Sequence, residues 1–363
     1  MRSGLRWVLV GVFASTFAVG CSDRLSLDGF PTIFGEFEGS DDPGAPTPAE
    51  QTPLGLDSAV GGDGVIRIEW RAPSETGPVP ELAILLEDEA GAPLGQSPYS
   101  VVAGTTHLVI AGFANGQLIE AQLGLRPSAG EPYSSVGQTL SVRTGAPMYV
   151  DVAAAPGGSG TSPGSPINDL ILAVLIVFSN GGGNLWVAAG EYEDVSLPLF
   201  AGVDIYGGFA GDFDLASRDT VVHPTRFNAL PDLPVASLLN AGSLSILDGI
   251  HLLGNGIASI GIEVEDSPFE GRKLKISDCK RGIKLRRGPF ADSVDMLFTA
   301  CHSTHNELQG LSGEGPLKIY VDGCSFTGNG QEGLEMAAWL APEGETLRMD
   351  LRDCSFTGNG GEG

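Results

Sequence analysis

The sequence has little positive charge for its length. Its 363 residues include 20 lysines and arginines against 45 aspartates and glutamates, for a formal net charge of −25. A surface this acidic repels phosphate backbones, so the composition argues against nucleic-acid binding.

Several common catalytic signatures are also absent from the sequence. There is no Gly-x-Ser-x-Gly elbow, no phosphate-binding loop and no dinucleotide fingerprint, and the five histidines form no triad pattern. No Cys-x-x-Cys pair or histidine partner stands at zinc-ligand spacing. The sequence therefore predicts neither a metal nor a cofactor.

Aromatic residues are sparse, at 7%, whereas glycine is abundant, with 53 residues. This composition favours many short strands and tight turns over long helices. The length allows two or three domains with a sizeable core.

The first twenty residues, 1–20, have the pattern of an export signal. Arg2 and Arg6 precede an apolar run too short to span a bilayer comfortably, and this run ends in AVGC at Cys21. The ending resembles the lipobox of bacterial lipoproteins, although alanine replaces the usual leucine. The resemblance implies that Cys21 is lipidated and, with Ser22 next in place of aspartate, that the protein reaches the outer membrane or cell surface. An ordinary secretory signal with a chance cysteine is the alternative.

Two segments follow the predicted anchor. Residues 21–53 are rich in proline and have little to bury, so we expect a disordered tether. Residues 54–146 contain short alternating runs separated by turn residues, which predicts a β-sandwich. The Trp70-x-x-Pro73 strand end, the LVIAGF run and the AGEPYSS stretch resemble a fibronectin type III domain, a kind of module that usually serves as a spacer.

Residues 147–363 begin with a different pattern. Apolar residues recur at helical spacing over 167–178, and we expect Ser165 to cap this helix, Pro166 to begin it, and the whole helix to be buried. A membrane span is the alternative, but the stretch is short and contains Asn168 and Asp169. The YVD, GTSPGSP, LWVAAGEYED and GVDIYGGF segments around it resemble bacterial surface proteins with a pectin-lyase-like right-handed β-helix. The predicted fold class is thus all-β: a right-handed parallel β-helix with an N-terminal cap helix, preceded by the small sandwich.

An internal repeat supports the β-helix without any resemblance. We align the coils on Ile250, Cys279, Cys301, Cys324 and Cys354. The residues three positions before these anchors are all apolar, namely Leu247, Ile276, Phe298, Val321 and Leu351. Asparagine stands five positions after four of the anchors, as Asn255, Asn306, Asn329 and Asn359, and in this alignment the Cys279 coil has lost that turn. Coils stack about 4.8 Å apart, so we expect a ladder of amide hydrogen bonds.

The column of cysteines at 279, 301, 324 and 354 has two remaining interpretations once zinc is set aside. Disulfides between coils can form in an exported protein. We favour small buried apolar side chains, because parallel side chains one coil apart rarely meet disulfide geometry. The heptapeptide CSFTGNG at 354–360 repeats 324–330, and the sequence stops before the next strand of the pattern. We therefore expect the β-helix to be truncated at its C-terminus.

Two functions remain open on this basis. The first is a non-enzymatic surface protein that displays its β-helix for glycan binding or adhesion. The second is a polysaccharide lyase or glycoside hydrolase, which rests on analogy with the resembled fold. A hydrolase needs a pair of carboxylates, and Glu263, Glu265 and Glu335 are the candidates.

One segment is basic in an otherwise acidic chain. Between Arg272 and Arg287, eight of the sixteen residues are lysine or arginine. Four of them, Lys275, Lys284, Arg286 and Arg287, form a candidate site for acidic polysaccharide. The repeat places Lys284 and Arg286 beside Glu263 and Glu265, so a ladder of ion pairs is the alternative interpretation.

Overall fold

A computed structural model of the chain describes residues 54–71, 81–102, 104–126, 130–287, 295–337 and 348–361. All of these residues belong to one compact unit, Ala49–Gly363. The predicted signal peptide, the tether and Cys21 lie outside the described residues. No helix in the described ranges is long and apolar enough to cross a membrane.

The N-terminal part of the unit is an antiparallel β-sandwich. Its strands are β1 (Leu56–Gly62), β2 (Val65–Trp70), β3 (Glu81–Asp88), β4 (Tyr99–Ser100), β5 (His107–Ala111), β6 (Leu118–Arg126) and β7 (Ser134–Arg143). One sheet has the order β1-β2-β5 and the other the order β4-β3-β6-β7. Alternation places Ile66 and Ile68 of β2 opposite Ile84 and Leu86 of β3, and all four are fully buried between the sheets.

The chain then enters a right-handed parallel β-helix with three sheets. Sheet 1 contains β8 (Met148–Val150), β9 (Gly183–Ala188), β12 (Val203–Phe209), β15 (Ser245–Asp248), β18 (Phe269–Arg272), β21 (Asp295–Thr299), β24 (Lys318–Asp322) and β27 (Arg348–Arg352). Sheet 2 contains β10 (Gly190–Val195), β13 (Thr225–Ala229), β16 (Ile250–Leu253), β19 (Lys275–Ser277), β22 (His302–Thr304), β25 (Ser325–Thr327) and β28 (Ser355–Thr357). Sheet 3 contains β11 (Leu197–Leu199), β14 (Pro234–Leu239), β17 (Ile260–Glu265), β20 (Arg281–Arg286), β23 (Leu311–Glu314) and β26 (Leu334–Ala337).

Each complete coil contributes one strand to every sheet, and equivalent strands pair in parallel. Inward-facing residues therefore stack in columns, as the rings of Phe326 and Phe356 do at 5.2 Å between centroids. Outward-facing residues form parallel columns on the surface, one residue per coil. This geometry decides which side chains can act together, because a functional surface must be assembled from neighbouring coils.

The cap helix begins later than the sequence predicts. Helix α1 covers Leu170–Ser179, and its N-cap is Asp169, whose carboxylate accepts the Leu172 amide at 2.9 Å. The prediction of Ser165 and Pro166 as the helix start is wrong because Ile167 is held in extended pairing with Tyr149 and Val150.

The prediction that the cap helix is wholly buried is also wrong. Its inner face is buried through Leu170, Ala173, Val174 and Val177. Leu172, Leu175 and Phe178 on the outer face are 44–48% exposed.

The strand register corrects the repeat alignment in one coil. Lys275 pairs with His302, so the anchor aligned with Cys301 is Leu274 rather than Cys279. Cys279 instead aligns with Asn306, whose side-chain oxygen accepts the Cys279 amide. No turn has been lost from this coil, since a cysteine occupies the asparagine position there.

Strand β1 lies across the outer face of sheet 1. The Asp57 carbonyl accepts the Thr299 hydroxyl of β21, the Ala59 carbonyl accepts Arg272 of β18 at 2.7 Å, and the Gly61 carbonyl accepts the Trp186 indole of β9. An apolar cluster lines the same junction, with Val60, Trp186, Ala188, Tyr206, Phe209, Phe213, Leu215 and Ile246 buried in it. The sandwich and the β-helix are therefore packed together as neighbours rather than joined by a linker.

Ion pairs are buried in this junction. Arg218 is fully buried and donates to Asp248 at 2.6 Å and to the Ser58 hydroxyl at 3.1 Å. Arg272 pairs with Glu270 and also donates to the Ser141 carbonyl of the sandwich. Such groups are stable out of water only when their partners are in place, and here the sandwich supplies hydrogen-bond acceptors to both arginines of the β-helix.

Candidate polysaccharide-binding surfaces

The basic residues of sheet 3 lie in the predicted register. Lys284 stands between Glu263 and Ser312, and Arg286 stands between Glu265 and Glu314. Lys284 binds Glu263 at 2.8 Å, and Arg286 reaches both of its acidic neighbours at 3.6 Å. These outward-facing bases are therefore already balanced by acids of the adjacent coils.

Arg287 follows the same pattern at the end of the strand. Its side chain is only 4% exposed and lies 3.7 Å from an oxygen of Asp266. A buried, paired guanidinium offers little to a ligand. The ion-pair ladder is thus the interpretation that the contacts of Lys284, Arg286 and Arg287 favour.

Lys275 does not belong with the other three candidate residues. It lies on sheet 2, where β19 pairs with β16 and β22, whereas Lys284 and Arg286 lie on sheet 3. The grouping of these four residues into one site is therefore wrong. Residues that are close in sequence lie on different sheets here, because the chain turns between sheet 2 and sheet 3 within each coil.

On sheet 2, Lys275 is the centre of a different column. The register aligns Arg226, His251, Lys275 and His302 on four consecutive coils. We call these four residues the sheet 2 column. Residues with hydroxyl groups continue it or flank it, namely Ser325, Ser355, Ser277, Thr304, Thr327 and Thr357.

The partners within the sheet 2 column differ from coil to coil. Arg226 pairs with Glu191 at 2.7 Å, and a ring nitrogen of His302 lies 2.5 Å from the Ser325 hydroxyl. Lys275 is exposed, and no acid of the described residues lies within ion-pair distance of it. The column thus has one unbalanced cation at its centre.

The two histidines beside Lys275 are held neutral at physiological pH. Burial, with help from Lys275 and Arg226, lowers the pKa of His251 to about 4. Burial and the charge of Lys275 also lower the pKa of His302 below its usual value. Neutral imidazoles can donate or accept hydrogen bonds, so at neutral pH the column combines one free charge with polar neighbours.

The asparagines of the turn between sheets 2 and 3 form a short ladder. The Asn306 side-chain amide donates to Asn329 at 2.9 Å, and that of Asn329 donates to Asn359 at 3.0 Å. Each oxygen also accepts a backbone amide from the preceding coil. Asn306 and Asn329 are buried, so the ladder serves the fold rather than a ligand.

A glycine column beside the ladder is required by the same packing. A Cβ on Gly310 would come within 2.8 Å of the Asn329 amide nitrogen, and one on Gly333 within 2.6 Å of that of Asn359. This close approach explains why glycine stands before Leu311 and before Leu334.

Asn255 does not belong to the ladder. It is exposed, has a positive φ of 52°, and donates to Asn228 instead. The coil after it has Cys279 at the ladder position, and a thiol cannot replace the two hydrogen bonds of an amide.

The four described cysteines are free thiols, and Cys279, Cys301 and Cys324 are buried. Burial raises the pKa of Cys279 to about 12 and that of Cys354 to about 11. Thiols of this kind are poor nucleophiles and poor metal ligands at neutral pH. The stacked column contains Cys301, Cys324 and Cys354, and Cys279 lies outside it.

The carboxylates considered for catalysis are placed on sheet 3. Glu263 and Glu265 are engaged by Lys284 and Arg286, and Glu335 stands opposite Ser312 on the outer face. Across the described ranges, no group of three or more His, Cys, Asp or Glu side chains could hold a metal ion.

Known proteins resemble the chain only weakly. No family model and no curated protein matches the chain. Two solved structures are similar to it at low identity. A family 28 exopolygalacturonase from Yersinia enterocolitica aligns over 80% of this chain with 13% identity and a TM-score of 0.27. The chain covers 65% of that enzyme's length. A candidate glycosyl hydrolase from Parabacteroides merdae aligns over 57% of this chain and 94% of its own, with 14% identity and a TM-score of 0.26.

The sheet 2 column could have been found in the sequence with a different alignment of the repeats. With Leu274 as the anchor, the residue after each anchor is His251, Lys275, His302, Ser325 or Ser355. These are the outward positions of sheet 2. Anchoring on Cys279 placed Lys280 there instead and broke the column.

Proposed function

We propose that this protein is a non-catalytic, lipid-anchored surface protein whose β-helix binds acidic polysaccharide through the sheet 2 column. The observation that supports it is the exposed Lys275, which has no acidic partner in the described residues and is flanked by His251 and His302. In a chain of net charge −25, an unbalanced cation on an open sheet is a specific place for an anion.

The repeat of the β-helix suits a polymer. Donors of the sheet 2 column recur once per coil, about every 4.8 Å along the helix axis. A chain of sugars laid along this axis would meet Arg226, Lys275 and His302 in turn, with serine and threonine hydroxyls for its own hydroxyl groups. The sandwich covers part of sheet 1, and Lys284 and Arg286 of sheet 3 are paired with acids, so we place the polymer on sheet 2 beside Lys275.

Delivery to the surface rests on the N-terminal pattern. A cleaved signal and a lipidated Cys21 would anchor the chain, because each buried CH₂ of an acyl chain contributes about 0.8 kcal/mol. Residues 21–53 would then hold the β-helix away from the membrane.

A binding assay with a matched control tests the proposal. The ligand is polygalacturonate, measured by isothermal titration at low and high salt against neutral dextran. We expect salt-sensitive binding to the uronate polymer alone, and a several-fold weaker affinity for Lys275→Ala. Lys284→Ala removes the same charge from sheet 3, where Glu263 already balances it, and should leave the affinity unchanged.

Three results would count against the proposal. No binding at low salt would exclude it, and equal effects of Lys275→Ala and Lys284→Ala would remove the column as the site. Release of unsaturated products or new reducing ends from the polymer would instead identify a lyase or hydrolase.

A further inference from the structure

The outer face of the cap helix is an exposed apolar surface. Leu172, Leu175 and Phe178 follow one another at intervals of three residues on one side of α1, and each is close to half exposed. The Phe178 ring stacks on the Phe200 ring at 4.3 Å between centroids, which extends the surface beyond the helix. We call these four residues the cap surface. Neighbouring apolar side chains of this kind mark interaction surfaces, whereas single exposed ones are ordinary.

The cap surface lies at one end of the β-helix. Helix α1 contacts β8 and β9, the first strands of sheet 1, and β11, the first strand of sheet 3. Its inner face closes the apolar core there through Leu170 and Val174. The cap surface is on the other side of the helix and therefore faces away from the coils.

The chain around the cap surface is almost free of charge. Residues 152–190 include α1, the loops on both sides of it and β9, and their one charged residue is Asp169. At the chain's average of 18% charged residues, a stretch of this length would contain about seven. Charged groups are costly against lipid, so their scarcity beside exposed apolar side chains favours a hydrocarbon surface as the partner.

A second copy of the chain fits the cap surface poorly. The ten-residue helix is about 15 Å long and 10 Å wide. A stable protein interface covers about 800 Å² on each partner, which is several times the area of such a patch. Two copies that each have a net charge of −25 would also repel each other. A lipid surface has no such requirement for area, because an acylated Cys21 would already hold the protein beside it.

The cap surface lies within reach of the membrane that would hold Cys21. Residues 21–53 can span at most about 110 Å when fully extended. The described chain begins near β24, because the Gly55 carbonyl accepts the Arg71 amide and Arg71 pairs with Asp322. Six strand spacings separate β24 from β8, or about 29 Å. The chain before residue 54 is therefore long enough for the capped end to meet the membrane.

We propose that the cap surface docks on a zwitterionic phospholipid membrane, with Leu172, Leu175 and Phe178 inserted just below the headgroups. Helix α1 would lie on the membrane rather than cross it, because its length of about 15 Å is half the thickness of a hydrocarbon core. The β-helix would then stand on the membrane with the sheet 2 column running away from it. Delivery to the membrane rests on the lipid anchor of the proposed function, but the contact itself needs no acyl chain.

Vesicle flotation tests the contact without the lipid anchor. The parent protein is the chain from residue 21 with Cys21→Ala, mixed with phosphatidylcholine vesicles or with vesicles that also contain anionic phosphatidylglycerol. We expect it to float with the former and several-fold less with the latter, because the chain is acidic. The variant Leu172→Gln/Leu175→Gln keeps good helix formers at exposed positions, and it should reduce the floating fraction at least tenfold.

A matched control removes two apolar side chains that are even more exposed. Val221→Gln/Val222→Gln changes the loop before β13 and should float like the parent. Both variants should keep the parent's urea midpoint, since every substituted side chain is exposed.

Four results would overturn the proposal. They are no flotation of the parent, equal flotation of Leu172→Gln/Leu175→Gln, equal losses in the two variants, and a dimer in lipid-free solution that Leu172→Gln/Leu175→Gln abolishes. The last result would assign the cap surface to a second copy of the chain. Titration of the same samples with polygalacturonate reports on the sheet 2 column separately, so the docking inference and the proposed function can fail independently.

Discussion

Replacing Arg218 with methionine should strongly destabilise the folded chain. Arg218 is fully buried, and its guanidinium donates to Asp248, the Gly207 carbonyl and the Ser58 hydroxyl. Methionine fills similar space but leaves the Asp248 carboxylate, also fully buried, without its cation. Breaking a buried ion pair on one side costs about 3–5 kcal/mol. We expect a loss of that size in the free energy of unfolding.

Urea denaturation followed by tryptophan fluorescence measures this loss. Arg226→Met is the matched control, because its pair with Glu191 is at least one-third exposed on both sides and is worth about 0–1 kcal/mol. The double variant Arg218→Met/Asp248→Leu should recover much of the stability, since it removes both charges together. A loss below 1 kcal/mol for Arg218→Met, or one equal to that of Arg226→Met, would refute the assignment of a buried ion pair.

Three further predictions concern the ladder, pH and the membrane. Asn329→Ala should lower the free energy of unfolding by about 1–3 kcal/mol, and more than Asn115→Ala in the exposed sandwich turn, because buried partners stay unsatisfied; equal losses in urea denaturation would contradict the ladder. Burial raises the pKa of Asp204 to about 6, against the pull of Arg143 and Arg272, so the folded state keeps a proton that the unfolded state has released. The free energy of unfolding should therefore fall as pH rises from about 4 past 6. The stability of Asp204→Asn relative to the wild type should rise over the same interval, and urea midpoints of the two proteins that change equally with pH would contradict this. Cys21→Ala should abolish acylation and membrane sedimentation in cell fractionation, and a variant that still sediments with membranes would disprove the lipid anchor.

The fold class could be predicted because its signals are local and repeated. Asn306, Asn329 and Asn359 recur at intervals of 23 and 30 residues, so each interval marks one coil. Period-two alternation predicts the strands of the sandwich in the same local way, and Ile66 and Ile68 are both buried as it predicts. Patterns of this kind need no knowledge of distant contacts.

The alignment failed where one residue type served two positions. Cys279 occupies the ladder position, while Cys301 and Cys324 occupy the anchor position. Both positions are buried and accept a small side chain, so residue identity alone could not separate them. Strand register resolves the ambiguity because Lys275 pairs with His302.

The junction between the domains could not be predicted at all. Arg218 and Asp248 are 30 residues apart, and Ser58 is 160 residues from Arg218. Nothing in the local sequence marks such residues as buried, since charged side chains are ordinarily exposed. Their partners are set by how the sandwich lies on sheet 1.

Strand β1 gives this solenoid a property that its own coils lack. In a stack of coils each turn touches only its neighbours, so the ends can fray turn by turn. Strand β1 accepts hydrogen bonds from Trp186, Arg272 and Thr299, which lie on coils that are not all adjacent. It therefore links several coils directly to one another. A pulling force along the axis would have to strip off the whole sandwich before those turns could separate. Under tension, the braced portion should therefore yield as a single block, whereas turns that β1 does not contact would open one after another.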